Sequence, residues 1–150
     1  VQFHWFNQGF ETFDDHLATI NSKRRKEARR ERRRVQEQGI EFERLSGHAI
    51  DREALETLFQ CYQMTYRVRG SRGYLTREFF ELVVARIPDA IRVTFALHQG
   101  KRIAMSFCLK DETNLYGRYW GSLEPRRAAP RRVERRGRFR RDPAVATHRP

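Results

Sequence analysis

Apolar and polar residues alternate along residues 91–121 in a way that is typical of a three-stranded antiparallel meander. One face of the first strand is apolar at every position: Ile91, Val93, Phe95 and Leu97. A period of two is typical of a strand with one buried face. Gln99 and Gly100 then supply a tight turn. The return strand repeats the apolar face at Ile103, Met105, Phe107 and Leu109.

The third strand of the meander is predicted over residues 115–120, after a turn at residues 111–114. It is rich in aromatic side chains, which suit a pleated surface. Gly117 predicts a β-bulge or a close backbone approach within this strand. Simple alternation places three side chains on one of its sides and Tyr119 opposite: Tyr116, Arg118 and Trp120.

Helical spacing predicts two amphipathic helices between the residues 51 and 87. The apolar stripe of the first helix consists of Leu55, Leu58, Phe59, Tyr62 and Tyr66. The second helix is capped by Thr76, and its inward stripe is predicted to be Phe79, Phe80, Val83, Val84 and Ile87. Pro88 fixes its end, because the residue before a proline avoids the helical region.

Four further elements are predicted before residue 51. A strand covers residues 1–6, and a short helix begins after Thr12. A strongly basic helix follows over residues 22–38 and ends at Gly39. A strand over residues 40–45 has Ile40 and Phe42 on one face. The fold class is therefore α/β (α+β): a mixed sheet, built largely from an antiparallel meander and flanked by helices.

Composition changes sharply at residue 125. Residues 125–150 contain ten arginines, two acidic residues and four of the five prolines, so they carry +8 of the net charge of +12. So little apolar surface cannot offset the entropy of ordering, which predicts a disordered tail. Out-of-frame translation of GC-rich codons gives this composition, which makes a frameshift one hypothesis. A genuine Arg-rich arm that binds nucleic acid is the other.

The remaining composition predicts a single cytoplasmic domain. The ~125 patterned residues suffice for a modest core. They include no apolar run of membrane-spanning length and no signal peptide. Cys61 and Cys108 are expected to be small core residues, and the five histidines lack metal-ligand spacing. Since the chain opens at Val1 without a methionine, we expect it to begin inside a larger protein.

Four ordered segments resemble the FemAB-like branch of the GNAT acyltransferase superfamily, closest to bacterial proteins labelled peptidoglycan biosynthesis or recognition proteins. They are FDDHLATINSKRRKEARRERRRVQEQGI, FQCYQMTYRVRG, YLTREFFELVV and IRVTFALHQGKRIAMSFCLKDETNLYGRYWGS. The resemblance implies that residues 1–10 end a preceding GNAT module and that residues 11–124 form a partial GNAT-like module. Residues 125–150 are then the Arg/Pro-rich tail.

The resemblance also implies an activity, which is acyl or aminoacyl transfer to an amine such as that of a peptidoglycan precursor. The donor substrate is acyl-CoA or aminoacyl-tRNA, so tRNA is an implied partner and no tightly bound cofactor is expected. The donor motif Q/R-x-x-G-x-G/A, which would bind the pyrophosphate at a helix N-terminus, is absent. The chain as it stands is therefore expected to be inactive.

Tyr116, Arg118 and Trp120 are the substrate-binding residues that the resemblance implies, because the corresponding GNAT strand borders the substrate cleft. The alternative is that the two aromatic rings fill the core and Arg118 caps a sheet edge. No catalytic base is assigned.

The basic helix supplies candidate phosphate-binding or polyanion-binding residues: Lys23, Arg24, Arg25, Arg29 and Arg30. Arginine binds phosphate with two parallel hydrogen bonds and lysine binds it as a point charge. The alternative is a solvated helix with internal Glu–Arg pairs. A non-catalytic basic module that binds RNA or another polyanion is the second function hypothesis. DNA is not an expected partner, because no apolar heptads follow the basic run.

Overall fold

A computed structural model describes residues 4–123 of the chain. Its helices are α1 (Phe13–Thr19), α2 (Ser22–Glu37), α3 (Arg52–Arg67) and α4 (Arg77–Arg86). Its strands are β1 (Ile40–Ser46), β2 (Ile91–His98), β3 (Lys101–Lys110) and β4 (Leu115–Ser122). All neighbouring strands are antiparallel, and the sheet order is β1-β2-β3-β4. The predicted combination of helices with an antiparallel meander is confirmed.

The helices begin where the capping residues predict. The Thr12 hydroxyl accepts a hydrogen bond from the Asp15 amide, and the Asp15 carboxylate accepts one from the Thr12 amide, which completes a capping box. Thr76 caps α4 in the same way through the amide of Phe79. Gly39 ends the basic helix with a positive φ of 66°, which glycine adopts without steric cost.

The core lies between one face of the sheet and the helices α3 and α4. Its helical side includes Leu58, Tyr62 and Phe80, which are fully buried, and Phe95 and Phe107 face them from the sheet. Cys61 belongs to this core as predicted. Cys108, predicted to be a core residue, instead lies partly buried with its sulfur 3.7 Å from the Ser106 hydroxyl oxygen.

The predicted inward stripe of α4 is wrong at two positions. Phe79 and Ile87 are exposed, while Val83 and Val84 pack against the core and Phe80 is buried. The apolar stripe of this ten-residue helix is wider than its contact with the core. Phe79 lies at the margin of the stripe and Ile87 lies beyond the last helical residue, so both remain exposed to solvent.

A register shift between Ala96 and Leu97 alters the predicted face of β3. Alternation places Arg102 opposite the core, but Leu97 pairs with Arg102 and Ala96 pairs with Ala104. The Arg102 side chain therefore extends across the core side of the sheet, with its guanidinium carbon 4.9 Å from the centre of the Phe95 ring. Its nitrogens reach the Glu43 carboxylate at 2.7 and 3.0 Å.

The described residues include part of the predicted N-terminal strand and none of the predicted tail. The strand predicted over residues 1–6 is wrong for its described part, because residues 4–6 are not in a strand. Trp5 and Phe6 make ring contacts instead and stay exposed. Both the tail at residues 125–150 and residues 1–3 lie outside the described residues.

Candidate functional site

Strand β4 carries the predicted substrate residues and forms one edge of the described sheet. Among residues 4–123 it pairs with β3 alone, so no second strand of the described structure covers its other edge. The register shifts where Phe107 pairs with Tyr119 but Cys108 pairs with Gly117. Arg118 is the additional residue, so the bulge predicted at Gly117 is confirmed. Bulges are frequent beside active sites because they redirect side chains.

The bulge contradicts the predicted face of the three substrate residues. Tyr116 pairs with Leu109 on the side of the core, whereas Trp120 pairs with Ser106 on the opposite side. One inserted residue reverses every later side chain of a strand, since the side-chain period is two. The structure therefore separates Tyr116 from Trp120 and leaves Arg118 between them at the bulge.

Tyr116 closes the turn before β4. Its hydroxyl donates a hydrogen bond of 2.6 Å to the Asp111 carboxylate, which also accepts from the amides of Thr113 and Asn114. The Tyr116 hydroxyl and these amides hold the pKa of Asp111 far below its usual range. The pKa of Tyr116 is raised by the same bond. The carboxylate is thus committed to the turn and is a poor base.

Arg118 and Trp120 are available to a ligand. Both side chains are exposed, and Arg118 forms no ion pair with any residue between 4 and 123. The Trp120 carbonyl accepts a 2.9 Å hydrogen bond from the Thr65 hydroxyl, which ties β4 to α3. A fixed backbone therefore carries a free cation and an exposed ring.

Four tyrosines form a cluster beside β4 that the sequence analysis did not assign to the site: Tyr62, Tyr66, Tyr74 and Tyr119. The ring centres of Tyr62 and Tyr119 are 5.1 Å apart, and the Tyr74 and Tyr119 hydroxyl oxygens are 3.0 Å apart. Burial raises the pKa of Tyr66 to about 12. Its hydroxyl therefore stays protonated at neutral pH and acts as a hydrogen-bonding group.

The spacing of Tyr62 and Tyr66 on one helix face was the signal available for part of this cluster. Tyr74 lies in the loop between α3 and α4, and only the fold brings it to Tyr119. Cys61 lies one residue away from Tyr62 but is no nucleophile, because burial raises the pKa of its thiol to about 12.

The basic helix α2 forms a second, separate surface. Of its nine cationic side chains, only Arg29 has a carboxylate partner among residues 4–123, Asp14 at 2.9 Å. Arg25 donates to the Ile20 carbonyl. Lys23, Arg24 and Arg30 are exposed and have no such partner. The internal Glu–Arg pairs of the solvated-helix alternative are therefore absent from the described structure.

The structure does not bring the two predicted sets of residues together. α2 leads directly into β1, and β1 and β4 form opposite edges of the described sheet. Three strand spacings of about 4.8 Å separate these edges by roughly 14 Å. The predicted substrate residues on β4 and the predicted anion-binding residues on α2 thus lie on two separate surfaces.

The described residues contain neither a cluster of metal ligands nor a membrane-spanning helix. No group of three or more histidine, cysteine or acidic residues converges there in a way that suits a metal ion. His48 lies 3.0 Å from Asp89 on the surface, as a single exposed pair. Between residues 4 and 123, the helices are too short or too polar to cross a membrane.

Comparison with known proteins identifies one family. The model of the FemAB-like family, described as peptidoglycan biosynthesis/recognition, matches residues 1–128. No curated protein matches the chain.

Proposed function

The chain belongs to the FemAB-like family of peptidoglycan biosynthesis/recognition, and from this membership we propose that it is part of a GNAT-type N-acyltransferase module. The transferred group is an acyl or aminoacyl group, and the acceptor is an amine, with a peptidoglycan precursor as the candidate. Acyl-CoA or aminoacyl-tRNA is the proposed donor, and the cytoplasm is the proposed location.

The observation that carries this proposal is the bulged edge of β4, which no second strand among residues 4–123 covers. An extended donor that contains amides can add to such an edge by hydrogen bonding to its unpaired N–H and C=O groups. The order of elements supports the same assignment, since a strand, two helices and an antiparallel meander occur in β1, α3, α4 and β2–β4. The segments that resemble the family follow one another in the same order along the chain.

The side chains around β4 suit binding and positioning of substrates. Arg118 offers a charge-assisted hydrogen bond to a carboxylate or phosphate. Trp120 offers an exposed ring, and the hydroxyls of Tyr74 and Tyr119 offer donors and acceptors. Transfer between a bound donor and an amine depends strongly on such positioning. Because the motif that would bind the donor's pyrophosphate is absent, we expect donor binding by this chain to depend on the β4 edge and turnover to be inefficient.

Donor binding can be measured through Trp120. The chain has two tryptophans, so Trp5→Phe leaves Trp120 on β4 as the only tryptophan, whose emission is excited selectively. We expect acyl-CoA or aminoacyl-tRNA to change its emission. Arg118→Ala should weaken donor binding about tenfold, the loss expected for one hydrogen bond to a charged group.

Arg86→Ala is the matched control, because Arg86 is exposed at the end of α4 and forms no ion pair among the described residues. It should bind the donor like the parent chain. The absence of any response to either donor in a folded chain would contradict the transferase proposal.

A second candidate function is polyanion binding by α2, and the unpaired cations favour it. The helix carries nine basic and three acidic residues and buries none of its side chains. Like charges without partners repel one another, so a bound polyanion stabilises the helix.

The salt dependence of polyphosphate binding tests this second function. Lys26→Ala and Arg30→Ala should each make the negative slope of log affinity against log salt shallower by about 0.7 to 1. Arg86→Ala should leave the slope unchanged. Equal slopes for all variants would exclude α2 from binding.

A further inference from the structure

Three exposed aromatic rings lie within or shortly before α1, the helix that contacts the basic helix α2. Trp5 is 60% exposed, Phe6 is 74% exposed and Phe13 is 46% exposed. The edge of Trp5 is held by α1, because its indole N–H donates to the His16 Nδ1 at 3.4 Å and the two rings meet edge to face. The tryptophan is therefore positioned without being covered.

The Phe13 ring of α1 meets a cation of α2. The Arg32 guanidinium carbon lies 4.4 Å from the centre of the Phe13 ring, a cation–π contact. The Arg29–Asp14 ion pair joins the same two helices. Phe13 thus contacts a cation of α2 directly, and Trp5 is linked to Phe13 through the His16 ring, which contacts both.

The cations of α2 follow a line on its exposed side. Lys23, Lys26, Arg30 and Arg33 are spaced by three, four and three residues, so they share one helix face. All four are exposed and without carboxylate partners among residues 4–123. Ten residues at 1.5 Å each give this line a length of about 15 Å.

We propose that residues 4–37 form a binding surface for single-stranded nucleic acid, with phosphates on the cations of α2 and bases on Trp5, Phe6 and Phe13. This inference deepens the polyanion function proposed for α2 and rests on it. A positively charged track with adjacent aromatic rings is the arrangement that binds single strands, because every base offers a face for stacking. Paired bases in a duplex cannot stack on these rings.

Trp5 reports directly on stacking. In a Trp120→Phe background it is the only tryptophan of the chain. We expect oligo(U) to quench its emission, and polyphosphate to bind with little quenching because polyphosphate has no bases. The same titration with oligo(dT) shows whether the single strand that binds is DNA or RNA.

A Trp5→Ala/Phe6→Ala double variant separates stacking from charge. We expect it to lose about tenfold or more in affinity for the single strand that binds, while its affinity for polyphosphate stays within about twofold. Phe42→Ala is the matched control, since Phe42 is an exposed phenylalanine on β1 and should change neither affinity.

Three results would overturn the stacking proposal while polyphosphate binding kept the polyanion function intact. The first is equal quenching of Trp5 by polyphosphate and by both oligonucleotides. The second is unchanged oligonucleotide affinity in the double variant. The third is a duplex that binds as tightly as the single strands. Failure of polyphosphate itself to bind would instead remove the underlying polyanion function.

Discussion

Gly121 is a point of close approach between β4 and α3. A Cβ atom built there would collide with the carbonyl oxygen of Cys61 and lie 2.6 Å from its carbonyl carbon. Because these are backbone atoms of a helix, no side-chain rotation relieves the contact. Glycine at this position therefore sets the distance between the sheet and its main helix.

Gly121→Ala is predicted to lower the free energy of unfolding by about 2 kcal/mol or more, because β4 must move away from α3. Urea denaturation followed by circular dichroism measures this change. Gly117→Ala is the control, since a Cβ at Gly117 meets nothing within 4 Å and should change stability by less than about 0.5 kcal/mol. Equal losses in the two variants would contradict the close approach.

Strand alternation predicted some features of the individual site residues and missed others. The bulge at Gly117 was predictable, because a glycine inside a strand is typical of one. Its consequence for Tyr116 and Trp120 was not predicted, since the extra residue is identified only by the pairing with β3. Tyr119 was placed opposite these residues, but its partner Tyr74 comes from a loop 45 residues earlier.

At the scale of elements, α2 and α3 contrast in what stabilises them. Both contain sixteen residues and begin at a side-chain cap. α3 buries five side chains, whereas α2 buries none. Most helical stability in proteins comes from packing an apolar face. α2 therefore depends on its cap and on whatever neutralises its charge.

Removal of the two caps should have different consequences. Asn21→Ala deletes the 2.9 Å hydrogen bond to the Arg24 amide, and Asp51→Ala deletes the 2.7 Å bond to the Ala54 amide. Asp51→Ala should lower global stability by about 1 kcal/mol, because α3 folds with the core. Asn21→Ala should reduce helix content and leave the urea midpoint unchanged.

Hydrogen exchange of the α2 amides checks this contrast independently. They should exchange faster than those of α3 in the parent chain and faster again after Asn21→Ala. Equal midpoint shifts for the two cap variants would mean that α2 unfolds together with the core.

At the scale of the whole molecule, one ion pair spans three strands. The Arg102 side chain from β3 crosses Phe95 of β2 to reach Glu43 of β1. It is only 16% exposed. The hydrogen bonds from Arg102 lower the pKa of Glu43. The pair therefore links global stability to pH.

Because folding lowers the pKa of Glu43, the stabilisation from this ion pair is lost as the pH falls. Glu43 stabilises the folded state above its unfolded pKa of about 4.3, and this contribution is lost as pH falls through the lower folded value. Glu43→Gln should therefore cost about 1 kcal/mol at pH 7, a value that allows for partial exposure. The difference from the parent chain should shrink towards pH 3.

Urea midpoints between pH 3 and 7 measure this dependence. Glu41→Gln is the control, because Glu41 is exposed on the same strand and has no ion-pair partner in the described part of the chain. It should follow the parent at every pH. A constant difference between Glu43→Gln and the parent would contradict the role of the Glu43 charge.

The sequence by itself determined the local features of this protein: the helix caps, the glycine at the end of α2, the alternation of the meander and the density of cations on α2. These depend on residues within a few positions of one another, so their spacing is sufficient. The expected strand at residues 4–6 failed because alternation alone does not supply a neighbouring strand to pair with.

Only the tertiary structure decided which face of each strand is buried, which tyrosines meet beside β4 and which cations lack partners. It also separated the β4 surface from the α2 surface at opposite edges of the described sheet. These properties depend on register and on contacts between distant segments. A single inserted residue moves every later side chain of a strand to the opposite face of the sheet. No local pattern shows which residue is the inserted one, because that depends on the pairing with the neighbouring strand.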